Sequence, residues 1–382
     1  MAARTRRWAV ALVIPADFLN TLAEHGIGDG VEAPELRDTF QLPMMGPMEV
    51  SVMMTITGVS YEMRANDGGR LRATVRSTGA LRFHGDVPME IPGLVRVSGE
   101  VLVEPIIELR DDNSFAAYLD LANSELVATH FEGIDGVDHD AESAAQMSEM
   151  LFASVGGDLF SAMAENLGTL GMELAPEQGE VVAELGVAPG RARIRVRPGR
   201  MEVMMAAVDG LDGSAVAVDV QGPCIGVGVA SGSVAALASA LAQQRIGVAH
   251  LPFEFDVHTA EGEVGGRLRS TRLVESPLVP DLRPGVSCAV EPRLVDDHVE
   301  LTLRSAWLDL PLVPAAVNRF NRWVGGMATR AVRPLVGLAT VRIPAHLEVP
   351  ARPDSDVMMG IVVRSLQVDG DGVEAVIAAD IG

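Results

Sequence analysis

The sequence predicts an α+β protein made of two tandem modules, each combining a strongly twisted antiparallel sheet with a long helix. Three observations predict this architecture. The chain repeats a set of motifs in one order, its alternating apolar runs are separated by turn signals, and a long segment carries apolar residues at helical spacing. The order in each copy is a strand, a helix, a sheet, a long helix and closing strands.

The opening strand and helix form the first repeat. The segment VALVIPADFLNTLAEHGIG begins at Val10, and its counterpart IGVGVASGSVAALASALAQQRIG begins at Ile225. Each reads as an alternating apolar strand, a break, a helix and a closing Ile-Gly. The second copy is longer by four residues. Since this is about one helical turn, the buried face is preserved. The apolar helix positions agree between the copies: Leu19 with Val234, and Leu22 with Leu237.

Four further pairs of motifs follow in the same order in both copies. They are Val103-Glu104-Pro105 with Val290-Glu291-Pro292, each before an Asp-Asp turn; Val155-Gly156-Gly157 with Val324-Gly325-Gly326; Glu202-Val203-Met204-Met205 with Asp356-Val357-Met358-Met359; and Asp219-Val220 with Asp380-Ile381. Gly222-Pro223 is a turn signal between the copies, and it predicts a first module over 1–222 and a second over 223–382. Superposed copies should pair Val155 with Val324 and Met204 with Met358.

The N-terminal segment has two readings. Arg4, Arg6 and Arg7, followed by the apolar run Trp8–Ile14, imitate a short signal peptide. Because the counterpart of this run lies inside the chain, the repeat instead favours a strand over Trp8–Ala16. We therefore expect a cytoplasmic protein, and secretion by a non-classical route stays open.

The body of the first module is predicted to be an antiparallel meander followed by a long helix. Its alternating runs are separated by turn signals such as Asn66-Asp67-Gly68-Gly69. The runs are Glu49–Arg64, Arg70–Phe83, Leu94–Leu109 and Phe115–Val127. The long helix carries an apolar stripe at successive i+4 positions: Met147, Leu151, Val155, Leu159, Met163 and Leu167.

Composition narrows the class of protein. The 382 residues are 48% hydrophobic, and the net charge is −22, with arginine supplying all 30 basic residues. So negative a chain repels nucleic acid, which disfavours a nucleic-acid partner. No apolar run approaches the roughly 20 residues of a membrane-spanning helix, so we expect no integral membrane segment. Cys224 and Cys288 have no metal-ligand spacing, and two free buried thiols are favoured over one disulfide.

The element order, the duplication and the opening motif Val13-Ile14-Pro15-Ala16-Asp17-Phe18-Leu19-Asn20 resemble the tubular lipid-binding superfamily. The tandem pair is similar to the arrangement in bactericidal/permeability-increasing protein. This resemblance implies a twisted sheet wrapped around the long helix, leaving an apolar slot for acyl chains. It predicts binding, sequestration or transfer of a lipid or another long apolar molecule, without catalysis. The acidic charge argues against lipopolysaccharide as that ligand.

Methionine suits the walls of such a slot because it is unbranched and polarizable. Fifteen of the 18 methionines lie in the first module. The residues expected to line the slot are Leu19, Leu22, Met53, Met54, Met147, Leu151, Val155, Leu159, Met163, Met204 and Met205. Arg319 and Arg322, in a helical stretch with Arg330 and Arg333, could contact a headgroup, although a solvated helix face is the simpler interpretation.

Other functions stay open at this stage. An enzyme that folds or cyclises an apolar substrate would draw on Asp17, His25, His84 or His130, and an accessory or assembly protein would need no ligand. The stretch His130–Asp140 combines carboxylates with two imidazoles but lacks known metal-site spacing, so we expect an acidic loop and no metal. No cofactor motif is found. A transient membrane or protein partner remains open.

Overall fold

The computed structural model describes residues 7–27, 30–32, 35–42, 46–84, 89–90, 94–134, 157, 160, 169–174, 176–237, 253–270, 285–309, 330, 340–350 and 358–380. These residues form mostly antiparallel β-sheet with few helices. The helices are α1 (Ala16–Ile27) and α2 (Pro176–Glu184), and residues 231–237 are also helical. Residues 207–223 form a segment that we call the linker. The strands before the linker are β1 (Trp8–Pro15), β2 (Val31–Glu32), β3 (Leu36–Leu42), β4 (Gly46–Glu62), β5 (Leu71–His84), β6 (Met89–Glu90), β7 (Val95–Leu109), β8 (Phe115–Ile134), β9 (Thr169–Leu174), β10 (Gly190–Arg191), β11 (Arg193–Arg197) and β12 (Arg200–Ala206). Those after it are β13 (Cys224–Ala230), β14 (Phe253–Ala260), β15 (Glu263–Ser270), β16 (Gly285–Val295), β17 (His298–Asp309), β18 (Thr340–Pro344), β19 (His346–Pro350), β20 (Met358–Val368) and β21 (Gly372–Asp380).

The strands form three sheets. A nine-stranded sheet from the first half has the order β2-β4-β5-β7-β8-β9, and in addition β3 pairs with β4, β6 with β5 and β10 with β7. A five-stranded sheet from the second half has the order β14-β15-β16-β17-β18. The third, central sheet has the order β11-β12-β1-β13-β21-β20-β19, so it takes strands from both halves.

The predicted meander is confirmed. The four alternating runs appear as β4, β5, β7 and β8, and each pairs with the next in antiparallel register. The predicted Asp-Asp turns connect β7 to β8 and β16 to β17, and residues Asn113 and Asp296 adopt positive φ in them. Period-two alternation over long runs therefore located every end of these strands to within three residues, except the C-terminal end of β8, which extends seven residues beyond the predicted Val127.

The central sheet repeats one arrangement in its two halves. In the first half, β1 pairs with β12, and β12 with β11; in the second, β13 pairs with β21, and β21 with β20. The backbone N–H of Ala16 donates to the Gly199 carbonyl at 2.9 Å, and that of Ser231 donates to the Asp371 carbonyl at 2.8 Å. Each donor begins a helix, and each acceptor lies in a hairpin turn. Ala16 and Ser231 are the residues that the sequence repeat aligns.

Two of the predicted matches at the end of the modules are wrong. Met204 lies on β12, next to β1, whereas Met358 lies on β20, which is separated from β13 by β21. The counterpart of the hairpin β11–β12 is therefore β20–β21. Asp219-Val220 lies in the linker between β12 and β13, which has no regular strand, so it does not match the end of β21. The boundary at Gly222-Pro223 stays a prediction.

The linker explains the glycines of β13. A methyl group added to Gly228 would lie 2.1 Å from the Val216 carbonyl oxygen, and one added to Gly226 would lie 2.5 Å from that of Val218. The extended linker therefore crosses one face of the central sheet directly over β13. Side chains larger than hydrogen at these two positions would push the linker away from the sheet.

The opposite face of the central sheet forms the principal described core. Val203 and Met205 of β12 pack there with Leu71 of β5 and Leu109 of β7. Leu12, Ile14 and Leu19 lie around this cluster, together with Val182 of α2. The nine-stranded sheet and the central sheet thus share one apolar interior in the first half.

The predicted long helix lies almost entirely outside the described residues. Within the stretch 135–168, only Gly157 and Phe160 are described, and both are helical. A sheet wrapped around that helix is therefore not shown. Among the described helices, none is long and apolar enough to span a membrane. Cys224 and Cys288 are free thiols, partly rather than fully buried.

Candidate functional site

The nine-stranded sheet has one strongly apolar face, which we call the inner face. On β7 it carries Val95, Val97, Gly99, Val101 and Val103. All five are buried, and none of the four valines is more than 5% exposed. Because successive side chains of a strand point to opposite sides, the residues between them lie on the other face. Arg96 and Glu104 are exposed there. The inner side of β7 is therefore apolar, whereas the other side is mixed, since Ser98 and Leu102 are buried there.

The inner face continues across β5 and β4. Ser77 lies opposite Val97 on one side and Ile56 on the other, and Gly79 lies opposite Val95 and Met54. Val52, Met54 and Ile56 are 1%, 3% and 7% exposed. This wall is made of aliphatic side chains and glycine, with Ser77 as its polar member.

The Ser77 hydroxyl is an unusual element of that wall. Ser77 is 1% exposed, and its Oγ has no hydrogen-bond partner among the residues that the structure describes. An unmade hydrogen bond of a buried hydroxyl costs about 1 to 3 kcal/mol. By contrast, Ser51 on β4 lies 2.9 Å from the Nε2 of His84 and is satisfied. A buried hydroxyl without a partner is a candidate contact for a bound molecule.

The inner face also contacts Gly157 and Phe160, the two described residues of the segment predicted to form the long helix. The ring of Phe160 lies so close to Gly99 that a methyl group on Gly99 would be 2.5 Å from its Cε1 atom. A methyl group on Gly157 would lie 3.8 Å from the Cδ2 atom of Leu126 on β8. Phe160 is 4% exposed. The two described helical residues therefore both face the inner side of the sheet.

The structure separates several residues predicted to line the slot. Met54 is buried on the inner face, whereas its neighbour Met53 is 53% exposed on the other face. Met205 belongs to the core shared with β7, and Met204 packs on the opposite face of the central sheet, near Ala11. Adjacent residues of a strand cannot line one wall, because their side chains point in opposite directions. Leu19 and Leu22 are partly buried on α1.

The remaining predicted contacts lie outside the described residues. These are Met147, Leu151, Val155, Leu159, Met163, Arg319 and Arg322. Arg330, from the same arginine series, is helical and exposed.

The candidate catalytic residues do not come together. Asp17 is exposed in the first turn of α1, and His25 is exposed near its end, with Nδ1 2.8 Å from the Thr21 carbonyl oxygen. His84 lies at the end of β5, and His130 is exposed on β8. Within the described part of the chain, no three His, Cys, Asp or Glu side chains are placed to hold a metal ion.

The opening motif ends in a residue that ties α1 to the nine-stranded sheet. The side-chain amide of Asn20 donates to the Tyr61 carbonyl at 3.3 Å, and its oxygen accepts from the Tyr61 N–H at 2.6 Å. Asn20 thus satisfies the backbone of β4 where neither β2 nor β3 pairs with it. The Tyr61 side chain packs against the cluster of Ala73, Val101 and Val103, and burial raises the pKa of its phenol.

A second feature is a row of arginines that sequence reasoning missed. Arg193, Arg195 and Arg197 occupy alternate positions of β11 and are all exposed, whereas Ile194 and Val196 between them pack on the core. Arg200 follows on β12, on the same face. We call these four residues the arginine ribbon. The period-two spacing of arginine in GRARIRVRPGR was the available signal.

One buried carboxylate partly neutralises the arginine ribbon. The side chain of Glu202 on β12 is 11% exposed. Its oxygens lie 2.9 Å from the Nε of Arg197, 3.4 Å from a guanidinium nitrogen of Arg200 and 3.7 Å from one of Arg195. Asp219 of the linker also pairs with Arg200. Within the described residues, Arg193 makes no ion pair, so the ribbon keeps excess positive charge.

Comparison with known proteins gives distant structural likenesses. No protein-family model matches the chain, and no curated protein matches it. A crystal structure of lipopolysaccharide binding protein is similar at a TM-score of 0.32 and 9% identity, over 98% of this chain and 99% of that one. The structure of P47 from Clostridium botulinum A2 is similar at a TM-score of 0.36 and 10% identity, over 98% and 97% of the two chains. Likeness at these scores does not assign the chain to a family.

Proposed function

We propose that the first half of the chain binds a long apolar molecule, such as a lipid, between the inner face and the segment that carries Gly157 and Phe160. The observation that carries this proposal is the apolar wall formed by β4, β5 and β7, which contains the Ser77 hydroxyl, a group with no hydrogen-bond partner among the described residues. The role is binding, sequestration or transfer without catalysis.

Physical chemistry supports an apolar chain as the occupant of this wall. Each buried CH₂ group contributes roughly 0.8 kcal/mol, so a long acyl chain gains a large free energy from a dry surface. The inner face offers Val52, Met54, Ile56 and Val97 as such a surface. Met54 adds a flexible side chain that can adapt to chains of different shape. The Ser77 hydroxyl would pair with a polar atom of the ligand, such as a carboxyl or ester oxygen.

The predicted helix wall belongs to the same proposal. Met147, Leu151, Val155, Leu159 and Met163 would face the sheet, and Arg319 and Arg322 would contact a headgroup. The division into modules over 1–222 and 223–382 is also part of it, and the repeated arrangement of the central sheet supports that division. Tandem modules leave room for a second, smaller site in the second half.

A matched pair of variants on one strand tests the proposal. Met54→Trp fills the inner face, whereas Met53→Trp places the same ring on the outer face one residue away. We expect Met54→Trp to reduce binding of parinaric acid, a fluorescent long-chain fatty acid, at least tenfold, and Met53→Trp to leave it unchanged. Gentle mass spectrometry of the wild type, followed by organic extraction, should release an apolar compound.

The contrary result is equally clear. An ordinary packed core would bind no fatty acid and yield no extractable compound, and Met54→Trp would then lower the free energy of unfolding by the 1 to 3 kcal/mol that is roughly typical of overpacking. Thermal unfolding of both variants, measured beside the binding titration, separates loss of the ligand from loss of the fold.

A further inference from the structure

We propose that β11 and its arginine ribbon bind an extended acidic segment of a partner protein, which adds to the central sheet as a further strand. This site is separate from the inner face and does not depend on lipid binding. Its elements are an open strand edge, arginines at strand spacing and an excess of positive charge in an acidic chain.

The open edge comes from the position of β11. It is the terminal strand of the central sheet, and among the described strands only β12 pairs with it, from Arg193 to Arg197. Its other edge presents backbone N–H and C=O groups in strand geometry. Such a row is a template for an added strand, and main-chain hydrogen bonds then supply much of the affinity.

The arginine spacing selects the chemistry of the added strand. Arg193, Arg195 and Arg197 project from one face at intervals of about 7 Å, since each residue of a strand advances about 3.3 Å. Side chains directly opposite on a neighbouring strand lie about 5 Å away. A segment with Asp or Glu at alternate positions therefore brings each carboxylate beside one guanidinium, which can bind it through two parallel hydrogen bonds.

The charge balance favours a short acidic segment over a membrane surface. The four arginines of the ribbon are neutralised only by the carboxylates of Glu202 and Asp219 among the described residues. Arg193 has no ion-pair partner in the described part of the chain. At physiological salt, electrostatic interactions are screened beyond about 8 Å. A short peptide bound at β11 would therefore interact mainly with the charges of the arginine ribbon. An extended anionic membrane would also face the rest of a chain whose net charge is −22.

The competing explanation is that the arginines prevent pairing. Charged residues on edge strands commonly protect a sheet against association with further copies. In that case the ribbon has no partner, and removing its charge promotes self-association. The Ile194 and Val196 side chains, which face the core, do not distinguish the two explanations.

A peptide titration distinguishes them. The probe is a nine-residue fluorescent peptide that alternates Glu and Val, compared with a scrambled peptide of the same composition and with an alternating peptide whose backbone is N-methylated at every second residue. We expect the intact chain to bind the alternating peptide at least tenfold more tightly than either control. The N-methylated peptide keeps the charges but cannot complete the ladder.

Variants locate the site. Arg193→Gln combined with Arg195→Gln should weaken binding at least tenfold and reduce its dependence on salt. Arg364→Gln, at an exposed position on β20 in the other half of the central sheet, should leave it unchanged. Arg197 and Arg200 stay in place in these variants because both contact Glu202.

Several outcomes would overturn the proposal. Equal binding of the three peptides would show that only charge attracts them. Absence of binding would show that β11 does not bind an acidic strand. Self-association of the double variant in sedimentation, without peptide binding by the wild type, would establish the protective explanation. Binding to vesicles of phosphatidylserine and phosphatidylcholine that depends on Arg193 and Arg195, with no peptide binding, would identify a membrane as the occupant.

Discussion

The hairpins β11–β12 and β20–β21 occupy equivalent positions in the central sheet and differ in charge. Val196 pairs with Met201 and Val368 with Val373, so each pair encloses four residues. The enclosed residues are Arg197-Pro198-Gly199-Arg200 in the first hairpin and Asp369-Gly370-Asp371-Gly372 in the second. The same pairing is therefore compatible with a basic and with an acidic turn.

The strands that lead into these turns differ in the same way. Where β11 presents Arg193 and Arg195, the equivalent positions of β20 carry Ser365 and Gln367. The inward positions stay apolar in both. Apolar alternation therefore determines the pairing, because inward side chains are buried, while the exposed face is free to change. The arginine ribbon is for that reason a property of the first half alone.

The largest expected effect concerns the two middle strands. The first, β1, carries Ala11 and Val13 where the second, β13, carries Gly226 and Gly228. The backbone of the linker lies directly against the two glycines, whereas Ala11 leaves room for a side chain and packs with Leu211 and Ala215 of the linker. Gly228→Val should lower the free energy of unfolding by about 3 kcal/mol, since its side chain would collide with the Val216 carbonyl. Chemical denaturation measures the change.

A glycine in open space serves as the control for that prediction. Gly370 has no atom within 4 Å of the position where a methyl group would lie, so Gly370→Ala should change stability by no more than about 0.5 kcal/mol. Similar losses for both variants would mean that the linker does not restrict β13.

The intermediate effect concerns two glutamates at equivalent positions. Glu202 is buried among Arg195, Arg197 and Arg200, whereas Glu374 pairs across the strands with Gln367 and makes no ion pair within the described residues. Glu202→Gln should cost about 1 to 2 kcal/mol, because charged hydrogen bonds are lost while the partly exposed arginines are screened by water. Glu374→Gln should be close to neutral. Equal losses in urea denaturation would show that the ribbon does not depend on Glu202.

The smallest effect concerns the turn between β7 and β8, whose counterpart connects β16 and β17. The Ser114 hydroxyl donates to Asp112 Oδ1 at 2.7 Å, and the Ser114 N–H donates to the same oxygen at 2.9 Å. The side-chain bond, followed by the backbone bond, holds the pKa of Asp112 below its usual value. This contribution to stability is present above the ordinary carboxyl range and is lost as the pH falls through the lowered pKa.

Replacing the serine tests that assignment. Ser114→Ala should raise the Asp112 pKa toward its usual value, measured by the NMR titration of the carboxyl carbon. An unchanged Asp112 midpoint would show that the hydroxyl bond does not form in solution.

The sequence predicted those parts of the fold that follow from periodic burial. Apolar and polar residues alternate over long runs in strands β4, β5, β7 and β8. The equivalence of Ala16 and Ser231 as helix starts follows because in both copies an apolar strand leads into a helix. The match of Met204 with Met358 failed because a short acidic and apolar motif suits any half-buried strand. The residue equivalent to Met204 is Val376 on β21, which retains only its apolar character.

The candidate sites were less accessible to sequence reasoning. Whether Ser77 finds a hydrogen-bond partner depends on what surrounds it in three dimensions, and it finds none in the part of the chain that the structure describes. A serine in a strand gives no such signal in the sequence. The predicted slot places Met53 and Met54 on one wall, although strand alternation alone separates them. The arginine ribbon was readable from its spacing, but its position at a sheet edge required the topology.

The pairing of β1 with β13 has a consequence for dissecting this chain. These strands run side by side from Val10 with Val229 to Val13 with Gly226, at the middle of the central sheet. A cut at Gly222-Pro223 would separate the halves in sequence but would divide one continuous ladder in space. Each fragment alone would expose the unpaired edge of an apolar strand. We therefore expect the two fragments to reassemble as a split protein rather than to be stable as separate domains.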